Sequence, residues 1–225
     1  MNKHSRRYLH LLLVVLALSL SSCRTEIPLT GDVARQTVNR FDASSPARFS
    51  ARQTLTFTFR AHWWWPPVRL TALGYATIDR TAHDYAVVCL SPLGMKLFEV
   101  SCTNGQSKAV IQFPLPGNGD AMGKAIGADI AAIYFDLLPG PDAVATRRGD
   151  TLRFREERAD RRVDHEFSIS NGQLTGKTIR DGSCDTAITF ADYRNDGTEM
   201  YPRMITLKNH RYGYTLTIQT RSLLP

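Results

Sequence analysis

The chain has 225 residues, 22% of them charged, and a formal net charge of +7. It shows no internal repeat of fixed period and no low-complexity segment, and its Lys and Arg form no stripe of the kind that binds nucleic acid. The first element is a leader: Lys3, Arg6 and Arg7 precede an apolar run over residues 11–20, too short for the roughly 20 residues that a spanning helix needs. Residues 1–22 are therefore expected to be a secretory signal and not a permanent transmembrane helix. Without them 203 residues remain, enough for one well-filled domain, and the net charge falls to +4. That residual charge favours anionic headgroups slightly.

The leader ends in LSLSSC, with Leu20 three positions before Cys23 and the small Ser21 and Ser22 between them. This resembles the lipobox of bacterial lipoproteins, in which the cysteine is diacylated and becomes the first residue. Two or three acyl chains give stable anchoring where one gives only marginal binding. Lipoproteins kept at the inner membrane typically carry Asp after the cysteine, and here Arg24 follows. The resemblance implies a lipid anchor at Cys23, in the periplasmic face of the outer membrane. An oxidising periplasm leaves two states open for Cys89, Cys102 and Cys184: one disulfide plus a free thiol, or three free thiols.

Residues 23–29 read as a lipidated polar tether, and residues 30–225 as one domain. The segment TGDVARQTVNRF predicts a helix capped by Thr30, with Val33, Thr37, Val38 and Phe41 on one stripe. From Arg48 the period changes to two, with Leu55, Phe57 and Phe59 on one face and Thr54, Thr56 and Thr58 on the other. Four further strands follow as a meander, VRLTALGYATID, YAVVCL, MKLFEVSC and SKAVIQF, parted by turn residues. A helix is then predicted over residues 120–137, with Asp120 as N-cap and Met122, Ala125, Ile126, Ile130, Ile133, Tyr134 and Leu137 at three- and four-residue spacing. Its two glycines weaken it in isolation, so packing on a sheet must hold it. Six more strands complete a total of about eleven.

Strands, helix, then strands again predict a mainly β (α+β) domain: one large antiparallel sheet with helices on one face. A twisted sheet of about eleven strands must curl or close. An unclosed barrel with the second helix as a lid would enclose an apolar cavity, with Ile126, Ile130 and Ile133 as lid residues.

At this point the chain resembles the LolA and LolB periplasmic carriers of lipoproteins and the uncharacterised outer-membrane lipoproteins thought to share their unclosed barrel. The likeness to LolB rests on the lipobox, the first hairpin, DYAVVCLSPLGMKLFEV, the small-residue helix and the ending YPRMITLKNHRYGYTLTIQ. In LolB an apolar loop with a Pro-Leu-Gly sequence protrudes from the rim, and its leucine passes lipoproteins into the membrane. That leucine maps to Leu93 in SPLG. The chain departs from the LolB pattern in having no tryptophan in its last strand and FADY where LolB has a YGGY-like stretch.

All three tryptophans, Trp63, Trp64 and Trp65, stand together before Pro66 and Pro67. In an antiparallel meander alternate turns share an edge, so this turn and residues 91–94 share one rim. That rim is apolar, whereas the opposite one carries Arg80, Asp84, Asn104 and Gln106. Tryptophan suits a membrane interface, and three in a row cannot all point inward from a strand. Trp63, Trp64, Trp65 and Leu93 are thus the expected contacts with membrane or cargo; the other reading has the tryptophans cap the barrel end.

Catalysis finds no support. GxSxG and HExxH are absent, and His62, His83, His165 and His210 are dispersed. In DHE, Asp164 and Glu166 face one way along a strand and His165 the other, so no metal or other cofactor is expected. The charged run 155–164 reads as a solvated hairpin. The leading expectation is an outer-membrane lipoprotein, monomeric and not an enzyme, that binds a lipid, an acyl chain or a lipoprotein in its half-barrel. The alternative is an assembly lipoprotein whose aromatic rim docks a protein partner and whose interior holds no lipid.

Overall fold

The computed structural model of the protein describes residues 27–28, 32–59, 68–112, 119–158, 160–182, 184–197 and 199–224. In chain order these form β1 (Ile27–Pro28), α1 (Asp32–Ser44), β2 (Arg48–Phe59), β3 (Val68–Asp79), β4 (Asp84–Leu90), β5 (Lys96–Thr103), β6 (Gln106–Ile111) and α2 (Gly119–Tyr134). Then follow β7 (Val144–Arg148), β8 (Thr151–Arg158), β9 (Arg161–Ser168), β10 (Leu174–Asp181), β11 (Cys184–Asp196), β12 (Glu199–Asn209) and β13 (Tyr214–Leu224).

The strands make one antiparallel sheet in the order β1-β7-β8-β9-β10-β11-β12-β13-β2-β3-β4-β5-β6. Two meanders are joined where the last strand pairs with the first long one, Leu216 opposite Phe57 and Ile218 opposite Leu55. The ends of the order, β1 and β6, are not paired with each other, so the barrel is unclosed. Bulges at Leu174/Gly176, Thr220/Ser222 and Cys89/Leu90 add local twist and help the sheet curl.

Because partners across an antiparallel ladder share a face, one inner row can be followed across the sheet: Phe154, His165, Lys177, Ile188, Leu207, Leu216, Phe57 and Leu70. The core lies along this face, with Leu152, Phe167, Leu174, Ile188 and Leu207 almost fully buried. The helix α1 covers it near β9, where Phe41 meets Phe167 edge to face at 5.5 Å. The stripe of α1 is Ala34, Thr37 and Phe41, with Val38 half-buried; Val33, expected on it, is exposed. Thr30, the expected cap, lies outside the described residues.

The eleven expected strands are all present. The two additional ones are short: β7 has five residues, and β1 is two residues of the expected tether, paired with β7. The two residues of β1 are too few to show a period-two pattern, and VATRR of β7 does not alternate apolar with polar residues.

Candidate functional site

The helix α2 runs over the inner side of β5 and β6, and two glycines set how closely. A Cβ at Gly123 would stand 2.5 Å from the Ala109 methyl, and one at Gly127 would stand 2.9 Å from the Tyr85 hydroxyl. The glycines that weaken the helix in isolation are therefore what let it lie against the sheet.

Between α2 and the sheet is a cavity of about 370 Å³, within the roughly 300–1,000 Å³ usual for small-molecule sites. Its sheet wall includes Leu55, Phe57, Leu70, Val87, Phe98, Leu216 and Ile218, and its helix wall Met122, Ala125, Ile126, Asp129, Ile130 and Ile133. Ile126, Ile130 and Ile133 are the isoleucines that α2 contributes to this lining. Cys89 also lines it; burial pushes its thiol up to about 12, which leaves it an inert apolar surface. Cys89 and Cys102 are both free of any disulfide, and the Cys184 side chain lies outside what is described.

Polar groups on the wall are few and mutually engaged. Gln53 Nε2 donates to the buried Tyr134 hydroxyl at 2.9 Å. Together with Ile133 these two residues also line a smaller apolar cavity of about 50 Å³, so they form the partition between the spaces. Asp129 accepts a hydrogen bond from the Tyr214 hydroxyl and another from Asn209 Nδ2 at 3.4 Å, which ties α2 to β13 and β12. Burial raises the Asp129 carboxyl to about 7, against the lowering effect of the Asn209 bond.

Beyond the partition, the end of α2 is fastened by polar side chains. Lys177 donates from Nζ to the carbonyls of Ala132 and Phe135 at 3.1 and 3.0 Å, and so caps the C-terminal end of α2. The His165 Nε2 lies 3.0 Å from the carbonyl oxygen of Asp136. Asp136 has φ of 49°, the left-handed turn that stops the helix there, three residues before Pro139. Burial pulls Lys177 down to about 8 and His165 to about 4, so His165 is neutral at ordinary pH. On the outer side of the same strand Asp164 pairs with Arg155 and Glu166 with Arg153, as the alternation in DHE requires. The hairpin is less solvated than expected, because Asp164 is buried beneath its arginines.

Alternation of turns puts the β2–β3 and β4–β5 connections at one end of the sheet. Leu93 is 87% exposed on the second of these, beside the exposed Met95. The turn is built, not loose: Gly94 N donates to the Ser91 carbonyl at 2.9 Å, and Met95 N to Ser91 Oγ at 3.1 Å. Tyr212, exposed and on the cavity lining, lies in the β12–β13 connection at the same end. Trp63, Trp64 and Trp65 lie outside the described residues, as does Cys23.

An unclosed antiparallel barrel with a helix over an apolar cavity defines a LolA/LolB-like fold. Solved structures bear this out: the chain is similar to a LolA superfamily protein from Nitrosomonas europaea, with a TM-score of 0.55 and 11% identity over 87% of this chain and 96% of that one. It is also similar to a DUF1329 family protein from Desulfovibrio piger, with a TM-score of 0.50 and 9% identity over 85% and 90% of the two chains. Residues 50–222 match the family described as protein of unknown function, DUF3261, and the chain belongs to that family. No curated protein matches it.

Three residues that shape the site escaped the sequence reading: Gln53, Asp129 and Lys177. Each carried a signal, since Asp129 falls on the apolar stripe of α2 and Gln53 and Lys177 fall on the inward phase of their strands.

Proposed function

We propose that the protein is a lipid-anchored lipoprotein of the outer membrane that holds an acyl chain, free or as part of a lipid or lipoprotein, between α2 and the sheet. The observation that carries this reading is the apolar cavity of about 370 Å³. An interior filled by its own side chains would leave no such space. Each methylene that enters contributes about 0.8 kcal/mol, so a long chain is held without directional chemistry. In this reading Cys23 carries the anchor, Ile126, Ile130 and Ile133 meet the chain, and Leu93 with Trp63, Trp64 and Trp65 touches the membrane or the cargo. The role in this reading is carriage: among the described lining residues Gln53 bonds Tyr134 and Asp129 bonds Tyr214, which fixes these polar groups to one another.

The test is mass spectrometry of what the protein carries. Protein made without its acylated cysteine and purified from the periplasm should release a lipid on extraction in near-stoichiometric amount. Protein that releases none, and that does not take up a fluorescent acyl probe, would contradict the carrier reading and favour a docking role for the rim.

A further inference from the structure

Asp129 gives the cavity a polarity that enclosing an acyl chain does not require. It stands on the same face of α2 as Ile126, Ile130 and Ile133, half-buried and among the residues that line the cavity. The remaining polar lining residues are Gln53, Tyr134, Tyr212 and Tyr214, and no Lys, Arg or His stands among the described lining residues. A carboxylate offers about four lone-pair positions. The Tyr214 hydroxyl and Asn209 Nδ2 take two, which leaves acceptor capacity on a wall whose described residues include no cation.

Such a wall repels a second anion, because opposed like charges in a water-poor site have no counter-charge to offset them. It rewards a group that donates hydrogen bonds. Resting on the lipid-cavity reading above, we infer that the ligand brings a donor without negative charge to Asp129, an ammonium, hydroxyl or amide N–H next to its acyl chain, and that fatty-acid anions and phosphate-bearing groups are disfavoured there. The bonds to Tyr214 and Asn209 fix the carboxyl in place beforehand, so selection needs no rearrangement of the wall.

The purified full-length protein is loaded with N-phenylnaphthylamine, a neutral fluorescent reporter, at roughly pH 8.5, where the carboxyl is ionised. Dodecylamine, dodecanol and dodecanoate, matched in tail length, then compete for it. Dodecylamine and dodecanol should displace the reporter at concentrations at least about tenfold lower than dodecanoate does. In Asp129→Asn the three should converge, and in Asp129→Lys dodecanoate should become the best competitor. If Asp129 only fastens the helix, Asp129→Asn weakens the reporter and all three competitors alike and leaves their order unchanged, which overturns the inference. Equal displacement by all three from the native protein also overturns it and leaves the cavity reading intact. A reporter that does not bind the native protein at all overturns both.

Discussion

The two ends of the same barrel interior are treated in opposite ways. Along β2, β3 and β13 the inward side chains facing α2 border the cavity of about 370 Å³; at the C-terminal end of the helix Lys177 and His165 fasten the terminus, and only the smaller space of about 50 Å³ remains among the described residues. The inner face is apolar along most of its length, so apolarity alone does not decide between cavity and core. What decides is where the helix is tied. Lys177 ties it rigidly at the C-terminal end, and Gly123 and Gly127 set its standoff along β6 and β4.

Lys177→Ala should give the largest effect. It leaves the Ala132 and Phe135 carbonyls unsatisfied and opens a void, at a cost of about 3 kcal/mol in denaturant unfolding. Removing the cap should also weaken uptake of an acyl probe; unchanged stability and uptake would mean that the helix is held elsewhere.

A second contrast is electrostatic. His165 is held down to about 4 in the folded chain against its ordinary 6.5, so between those values the unfolded chain binds a proton that the folded chain does not. Its contribution is present above pH 6.5 and lost as the pH falls toward 4, roughly 3 kcal/mol in all. Asp129 runs the other way, raised to about 7 from 3.8. Between those values the folded chain binds the extra proton, so its contribution is present below pH 3.8 and lost as the pH rises through 7, on the order of 4 kcal/mol. The two nearly cancel in the native protein. Asp129→Asn should therefore leave a net loss of stability on acidification, and His165→Asn a net gain, both read from unfolding midpoints between about pH 4 and 7.

Gly123→Val should cost less, about 1 to 3 kcal/mol, because the new side chain must push α2 away from Ala109. Leu93→Glu should change stability by no more than about 0.5 kcal/mol, since the residue is exposed. It should nevertheless reduce binding to anionic vesicles; binding equal to the native protein's would remove Leu93 from the proposed membrane contact.

Much of the fold was legible because long strands announce themselves. The alternation of Leu55 and Phe57 with Thr54, Thr56 and Thr58 marks one buried face, and counting turns places Leu93 on the rim of the β2–β3 connection. The stripe of α2 likewise yields three cavity-lining isoleucines. What stayed hidden depends on partners distant in sequence. Lys177 reads as a surface residue until the carbonyl of Ala132, 45 positions away, arrives above it. Asp129 reads as an interruption of an apolar stripe until Tyr214 comes round from the last strand. Val33 shows the converse error, since the helix α1 buries its smaller Ala34 and leaves Val33 exposed.

The central claim is that the space under α2 is a ligand site and not a packing defect. Ala125 lines that space, so Ala125→Phe fills it without touching the Lys177 end. Titration of a fluorescent acyl probe into native and Ala125→Phe protein, with unfolding midpoints measured alongside, tests this most directly. The account predicts saturable binding to the native protein and loss of about tenfold or more in affinity on filling, with the midpoint unchanged or raised. Equal binding by both proteins, or a higher midpoint with no binding to either, would contradict it.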